Sequence, residues 1–190
     1  KYLLANDLGT DQIHVFPVSE SVSDGVSHSL LNEGESTDIK VEPGSGPRHI
    51  CFHPNQKFAY LINELSGKVT AFSYHEGKLD AIQYIAADTV GAKGSADIHI
   101  TPDGKFLYAS NGIAIFAVDS DKGTLTKIGY ELTGIHPRNF VITPNGRYLL
   151  VACRDSNLIQ IFEIDKETGL LTDTGEKIET SRPVCLKFSY

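Results

Sequence analysis

Apolar and polar residues alternate along most of the chain, in short runs separated by Pro, Asn, Asp and Gly. Three runs share one pattern: FHPNQKFAY at 52–60, ITPDGKFLY at 100–108 and ITPNGRYLL at 142–150. In each, a Pro-containing turn is followed by a basic residue and then by an aromatic and apolar run. Period-two alternation interrupted by Asn-Gly or Asp-Gly is typical of antiparallel hairpins. The pattern predicts an all-β chain without amphipathic helices.

The spacing of this pattern predicts the architecture. The prolines Pro54, Pro102 and Pro144 stand 48 and 42 residues apart, and a second alternating segment ending in Phe follows each run. Repeats of about 40–50 residues with four strands each are typical of β-propeller blades. We therefore expect one β-propeller domain of four-stranded antiparallel blades. Its units are predicted as a truncated blade at 1–47, full blades at 48–96, 97–137 and 138–184, and a closing strand at 185–190.

Composition narrows the class of protein and its partners. The net charge of -7 argues against nucleic-acid binding, which requires a basic surface. No run reaches the roughly 18 apolar residues of a membrane helix, so we expect no membrane partner. The three cysteines, an odd number in strand-like contexts, are predicted to be reduced core residues, which favours a cytoplasmic location. They are Cys51, Cys153 and Cys185.

Hairpin register predicts which charged residues lie together. Counting outward from the turn at 55–56 places Arg48 opposite Glu64. This pair is either part of a functional site or an ordinary cross-strand ion pair worth about 0.2–1 kcal/mol. His99 lies two residues beyond Asp97 and so on the same strand face, as a channel or a core histidine. The same counting in the other two full units places Asp97 opposite Asn111, and Arg138 opposite Arg154.

Aligning the units on their prolines points to a single channel mouth. The sixth residue before each proline is Arg48, Ala96 or Arg138, and the fifth is His49, Asp97 or Asn139. Because the inner strands of a propeller begin around its central channel, we expect one mouth to be ringed by Arg48, His49, Glu64, Asp97, Arg138 and Arg154. Arginine suits phosphate or carboxylate, and His or Glu can transfer protons. This combination indicates hydrolysis of a charged ester.

The strings GPRHICFHPNQKFAYLINEL, SADIHITPDGKFLYASN and HPRNFVITPNGRYLLVA resemble the lactonase family of seven-bladed β-propellers, which includes the propeller-type 6-phosphogluconolactonases. The resemblance covers nearly the whole chain and about the C-terminal half of such a protein. It implies a seven-bladed complete protein that hydrolyses 6-phosphogluconolactone to 6-phosphogluconate, a small anionic lactone of the pentose phosphate pathway. It also implies that one family histidine would precede Lys1, and that an arginine is absent from the shortened loop at 110–113.

The resemblance and the register together define the candidate site. The family's active-site arginine and glutamate fall on Arg48 and Glu64, while His49 and His99 lie in its characteristic strings; these four are the catalytic candidates. Substrate binding is assigned to Arg138, Arg154 and Asp97. Arginine would polarise the lactone carbonyl, and Glu64 or a nearby histidine would activate water. We expect no metal or organic cofactor, because the sequence has no zinc-ligand spacing and no glycine-rich phosphate loop.

Two other classes of function remain open at this stage. One is a different enzyme on the same site, such as a muconate-type lactonizing cycloisomerase or another sugar lactonase. The other is a non-catalytic propeller that binds proteins, since a fold does not fix a function. The arginines and the acid at equivalent ring positions favour the enzyme. The sequence does not predict an oligomeric state.

Overall fold

The structure, a computed structural model, describes residues 1–18, 31, 33–87 and 94–189. These residues form fifteen β-strands and one short 3-10 helix at Glu33–Glu35, and the described ranges contain no α-helix. The strands are β1 (Tyr2–Asp7), β2 (Gln12–Pro17), β3 (Thr37–Lys40), β4 (Pro47–Phe52), β5 (Phe58–Asn63), β6 (Lys68–His75), β7 (Lys78–Ala86), β8 (Ile98–Ile100), β9 (Phe106–Ser110), β10 (Ile113–Val118), β11 (Leu125–Glu131), β12 (Pro137–Ile142), β13 (Tyr148–Cys153), β14 (Leu158–Ile164) and β15 (Leu171–Glu179).

The strands form four antiparallel sheets in which each strand pairs with its neighbour along the chain. Sheet A contains β1–β3, sheet B contains β4–β7, sheet C contains β8–β11 and sheet D contains β12–β15. Short turns of the predicted kind join β4 to β5, β8 to β9 and β12 to β13. The architecture confirms the predicted fold class, an all-β chain of four-stranded antiparallel blades.

The sheets are stacked face to face, so that the inner sheets are buried on both sides. Strand β5 shows why: Phe58, Tyr60 and Ile62 pack in the core shared with sheet C. The alternate residues Ala59 and Leu61 pack in the core shared with sheet A. A strand whose six residues are all buried needs apolar side chains at every position, and FAYLIN supplies five of the six. Each large side chain buried in this way contributes about 1.5–3 kcal/mol.

A glycine in the turn before the outer strand fits against an aromatic ring of the preceding sheet. An added Cβ at Gly123 would lie 2.2 Å from Cδ1 of Phe58, and one at Gly169 would lie 2.3 Å from Cδ1 of Phe106. A Cβ at Gly77 would lie 2.7 Å from Cδ1 of Tyr2. These aromatics are the repeated residue after Lys in KYLL, KFAY and KFLY. The sequence repeat therefore encodes contacts between sheets as well as strands within them.

Two expectations differ from the structure. No strand is assigned within residues 185–189, where a closing strand was predicted. A strand needs a neighbouring backbone, and no described strand exchanges backbone hydrogen bonds with this segment. Cys185 is exposed, in contrast to buried Cys153 and half-buried Cys51, so it is not a core residue. No helix in the described residues has the length and apolarity to cross a membrane.

Candidate active site

The innermost strands bring the predicted ring positions together at one end of the sheets. Strands β4, β8 and β12 begin at this end, and β8 contacts both of the others. The turns that follow β5, β9 and β13 lie at the same end. We call this end the channel mouth. The turn after β9 has two residues, 111–112, whereas those after β5 and β13 have four, so sheet C presents the shortest loop there.

Arg48 and Glu64 form an ion pair at this mouth, Nη1 to Oε2. The guanidinium also donates from Nε to the backbone oxygen of Ala96 at 2.9 Å. Both side chains are about four-fifths buried, with 21% and 23% of their surface exposed. The predicted contact is therefore present, and it is less accessible to water than an ordinary surface pair. Such shielding strengthens the Coulomb attraction between the two groups.

A register shift explains how neighbouring residues of β4 reach the same strand. Pro47 pairs with Asn63 and His49 pairs with Ile62, which leaves Arg48 as an extra residue in the ladder. A β-bulge of this kind re-aims side chains that would otherwise alternate between faces. As a result, Arg48 and His49 both reach the residues that directly precede β8, Ala96 and Asp97 respectively.

Asp97 is the buried centre of the site, with 3% of its surface exposed. Its Oδ1 lies 2.9 Å from His49 Nδ1, and its Oδ2 lies 3.1 Å from His99 Nε2 and 2.5 Å from Asn139 Nδ2. Two backbone amides also donate to it, those of Ile98 and Phe140. Five donors on one carboxylate are close to the number of lone-pair positions that it offers. This arrangement leaves Asp97 little capacity to bind a ligand directly.

The charge of Asp97 determines which ring nitrogen of each neighbouring histidine carries a proton. Burial alone would raise the pKa of this carboxyl group, but the hydrogen bonds from His49 and His99 outweigh burial and hold the pKa well below its usual range. An ionised carboxylate can only accept hydrogen bonds. His49 must therefore carry a proton on Nδ1, and His99 must carry one on Nε2.

The fifth residue before each proline forms a continuous link between sheets. His49, Asp97 and Asn139 occupy this position in sheets B, C and D, and Asp97 bonds to the other two. Asn139 also accepts a hydrogen bond from the backbone nitrogen of Leu186 at 2.6 Å. Asn139 was not among the predicted site residues. The alignment on proline that identified Asp97 was the signal that could have found it.

Sheet D presents a different charge arrangement at the mouth. Arg138 is half-buried and has no ion pair or hydrogen-bond partner among the described residues. Arg154, by contrast, donates from Nε to Asp155 Oδ1 at 2.7 Å. Asp155 also lies 2.9 Å from His136 Nδ1. Hydrogen bonds from Arg154 and then His136 lower the pKa of Asp155 to about 2.

The predicted site residues thus fall into two groups. Arg48, Glu64, His49, His99 and Arg138 lie at the channel mouth or just inside it with at least part of the side chain exposed. Asp97 and Arg154, which were predicted to bind substrate, have other surroundings: the first is buried behind the histidines, and the second is paired with Asp155. Arg138 and Arg154 do not pair across the hairpin: a shift between Pro137 and Asn139 moves them out of register. The predicted partner of Asp97, Asn111, is likewise displaced by one residue, and Ser110 takes its place.

Within the described residues, no group of three or more His, Cys, Asp or Glu side chains is arranged to hold a metal ion. The histidines at the mouth face a carboxylate that is already saturated with hydrogen bonds. The chemistry that these side chains can perform is acid–base transfer and the binding of an anion.

The fold and the site define a segment of a β-propeller with a charged channel mouth. Over residues 1–188 the sequence matches the family described as "Lactonase, 7-bladed beta-propeller". The chain belongs to this lactonase family.

Individual relatives agree with this family. A 6-phosphogluconolactonase of Formosa agariphila is 48% identical over 189 residues, which cover 93% of this chain and 51% of the relative. The crystal structure of a candidate 6-phosphogluconolactonase from Bacteroides fragilis is 61% identical with a TM-score of 0.93, and the match covers 100% of this chain and 55% of that one. The periplasmic gluconolactonase of Pseudomonas aeruginosa is 31% identical, with a TM-score of 0.88 and coverage of 100% and 54%. The chain spans about half the length of the relatives it matches.

Proposed function

We propose that the complete protein hydrolyses 6-phosphogluconolactone to 6-phosphogluconate, a step of the pentose phosphate pathway. The observation that carries this proposal is the pair of unlike arginines at one channel mouth. Arg48 is paired with Glu64, whereas Arg138 has no partner in the described part of the chain. A lactone that carries a phosphate presents two different groups to such a site, an anionic phosphate and a polar lactone carbonyl. The name of the Formosa relative supports the choice of substrate.

Each arginine is assigned to one of these two groups of the substrate. Arg48 is held in place by Glu64 and by the backbone of Ala96, so it is preorganised to stabilise the oxyanion that develops on the lactone carbonyl. Arg138, which has no carboxylate to compete with, binds the phosphate through charge-assisted hydrogen bonds. His49 and His99 contact different oxygens of Asp97, Oδ1 and Oδ2 respectively. Glu64 or one of these histidines activates the water.

The proposed reaction requires only water, a base and an anion site. Opening a lactone is the hydrolysis of an ester, with no change in oxidation state. The side chains at the mouth supply every group that this chemistry needs, so the proposal includes no metal and no organic cofactor.

We also propose that the protein acts in the cytoplasm. Cys51, Cys153 and Cys185 are all free thiols, and free thiols persist in a reducing compartment. Cell fractionation of the complete protein tests this assignment. Recovery in the periplasmic fraction, as the name of the Pseudomonas relative suggests for that protein, would contradict it.

The experiment that tests the function is an assay of the complete protein with freshly generated 6-phosphogluconolactone. The product is followed with 6-phosphogluconate dehydrogenase, and the spontaneous opening of the lactone is subtracted. We expect a clear acceleration over the spontaneous rate. No acceleration would reject this substrate. In that case a muconate-type lactone and a protein ligand become the alternatives to be tested at the same mouth.

A further inference from the structure

Asp97 holds two histidines, but the two differ in what surrounds their free nitrogens. His99 lies within β8, its ring contacts Phe140 edge to face at 4.9 Å, and it lines a cavity together with the apolar residues Ile100 and Val141. His49 lies at the start of β4, beside Arg48, and 49% of its side chain is exposed. The His99 side chain is 38% exposed, so His49 is the more exposed of the two histidines and is also the sequence neighbour of the proposed oxyanion donor, Arg48.

The tautomer of His49 suits the removal of a proton. Its Nδ1 donates to Asp97 Oδ1 at 2.9 Å, so in the neutral imidazole the lone pair is on Nε2, which faces away from the carboxylate. Asp97 itself is immobilised by four other donors from β8 and β12. The imidazole is thus held in one tautomer and one orientation by a group that cannot easily move.

Glu64 is less suited to this task. Its carboxylate is paired with the guanidinium of Arg48, and taking a proton from water would require that pair to weaken during the reaction. Histidine also has the ordinary pKa nearest to neutral pH, where general bases are most effective. The same pair makes Glu64 effective in holding Arg48 in position.

From these observations we propose that His49 Nε2 is the general base of the lactonase reaction and that Asp97 is the positioning residue that sets its tautomer. This inference rests on the proposed function. Nε2 removes a proton from water as the water oxygen bonds to the lactone carbonyl carbon. When the bond between that carbon and the ring oxygen breaks, the proton passes to the ring oxygen. The products are a carboxylic acid, which ionises in water, and a hydroxyl group.

The test begins with Asp97→Asn in the complete protein. An amide at this position offers donors as well as an acceptor, so it no longer imposes one tautomer on His49. We expect kcat to fall by about 100-fold or more with KM changed by less than about threefold, since general-base catalysis contributes about 10²–10⁴-fold. The ¹⁵N shifts of the His49 ring should also move from the Nδ1-protonated form toward a mixture. A matched control is Asp38→Asn, which breaks the 2.7 Å contact with His14 Nδ1 on β2 and β3 and should leave kcat unchanged.

A second variant keeps the inference testable if Asp97→Asn does not fold. His49→Ala should lose a similar factor in kcat, and added imidazole should restore part of it, which a purely structural residue would not show. A kcat within threefold of wild type in either folded variant, or a loss without rescue by imidazole, overturns the inference while the lactonase function stands. If the wild-type protein does not accelerate lactone opening, the proposed function and this inference both fall.

Discussion

The starts of sheets B and D share one backbone hydrogen bond at equivalent positions, but the side chains there carry opposite charges. In sheet B the amide of Glu64 donates to the oxygen of Gly46 at 2.7 Å. In sheet D the amide of Arg154 donates to the oxygen of His136 at 3.0 Å, so Arg154 takes the place of Glu64. A Pro-Arg pair follows Gly46 and His136 alike. We call these two regions the sheet B corner (46–49 and 64–65) and the sheet D corner (136–139 and 154–155).

The two corners surround their strand arginines, Arg48 and Arg138, with different charges. At the sheet B corner a carboxylate faces the strand arginine and fixes it. At the sheet D corner Arg154 occupies the backbone position that Glu64 has in sheet B, and its guanidinium pairs with Asp155. Under the proposed function, Arg138 is therefore the guanidinium that binds the incoming anion. The two corners repeat one backbone arrangement, and they differ in charge because Arg154 stands where Glu64 stands in sheet B.

Arg48→Ala should have the largest effect, because it removes the preorganised donor and leaves Glu64 without its partner. We expect kcat on 6-phosphogluconolactone to fall by about 10²–10³-fold, as for the loss of an oxyanion donor. The control is Arg147→Ala, which removes an exposed ion pair with Glu163 at 3.2 Å and should leave kcat unaffected. A rate for Arg48→Ala within a few-fold of wild type would remove the sheet B corner from catalysis.

Arg154→Glu should convert the sheet D corner into a copy of the sheet B corner. The new carboxylate can pair with Arg138 and compete with the substrate phosphate, so KM should rise by about tenfold, equivalent to one charge-assisted hydrogen bond. Arg154→Gln provides the comparison, because it removes the same guanidinium without adding a carboxylate. Equal KM values for the two variants would contradict the assignment of the phosphate to Arg138.

Gly46→Ala tests the backbone of the sheet B corner and should have the smallest effect. A Cβ at Gly46 would lie 2.7 Å from Leu65 Cγ, at a φ of +64°. Gly44 has a similar φ of +75° with nothing within 4 Å of the added carbon. We expect Gly44→Ala to lower the free energy of unfolding by about 1 kcal/mol and Gly46→Ala by about 2–3 kcal/mol. Urea unfolding of the two variants measures the difference, and equal losses would show that Leu65 simply moves aside.

The sequence predicted the blades well because each blade repeats the same local signals. The pattern of Pro, turn, basic residue and aromatic recurs with each inner hairpin, so register counting brought Arg48 to Glu64 and proline alignment brought Arg48 and Arg138 to one end. Counting assumes an uninterrupted ladder, however, and the shifts at Pro47 and Pro137 moved the partners by about one residue. A bulge of one residue leaves no clear trace in a period-two pattern.

The role of Asp97 could not be predicted for a different reason. Three of its partners, His49, Asn139 and Phe140, lie 42 to 48 residues away on β4 and β12, so no single hairpin contains them. Charge at a ring position suggested substrate binding. Only the packing of three sheets shows that the carboxylate is buried and saturated with donors. The segment at 185–189 has alternating residues typical of a strand, but strand assignment also requires a neighbour for its backbone.

The most direct test of the central claim is the substrate selectivity of Arg138→Ala. The ratio of kcat/KM for 6-phosphogluconolactone to that for glucono-δ-lactone, which lacks the phosphate, is measured in the wild-type protein and in the Arg138→Ala and Arg48→Ala variants. We expect Arg138→Ala to lower this ratio by about tenfold or more, mainly through KM for the phosphorylated lactone. Arg48→Ala should lower kcat/KM for both substrates by a similar factor and leave the ratio unchanged. An unchanged ratio in Arg138→Ala would contradict the division of labour between the two corners.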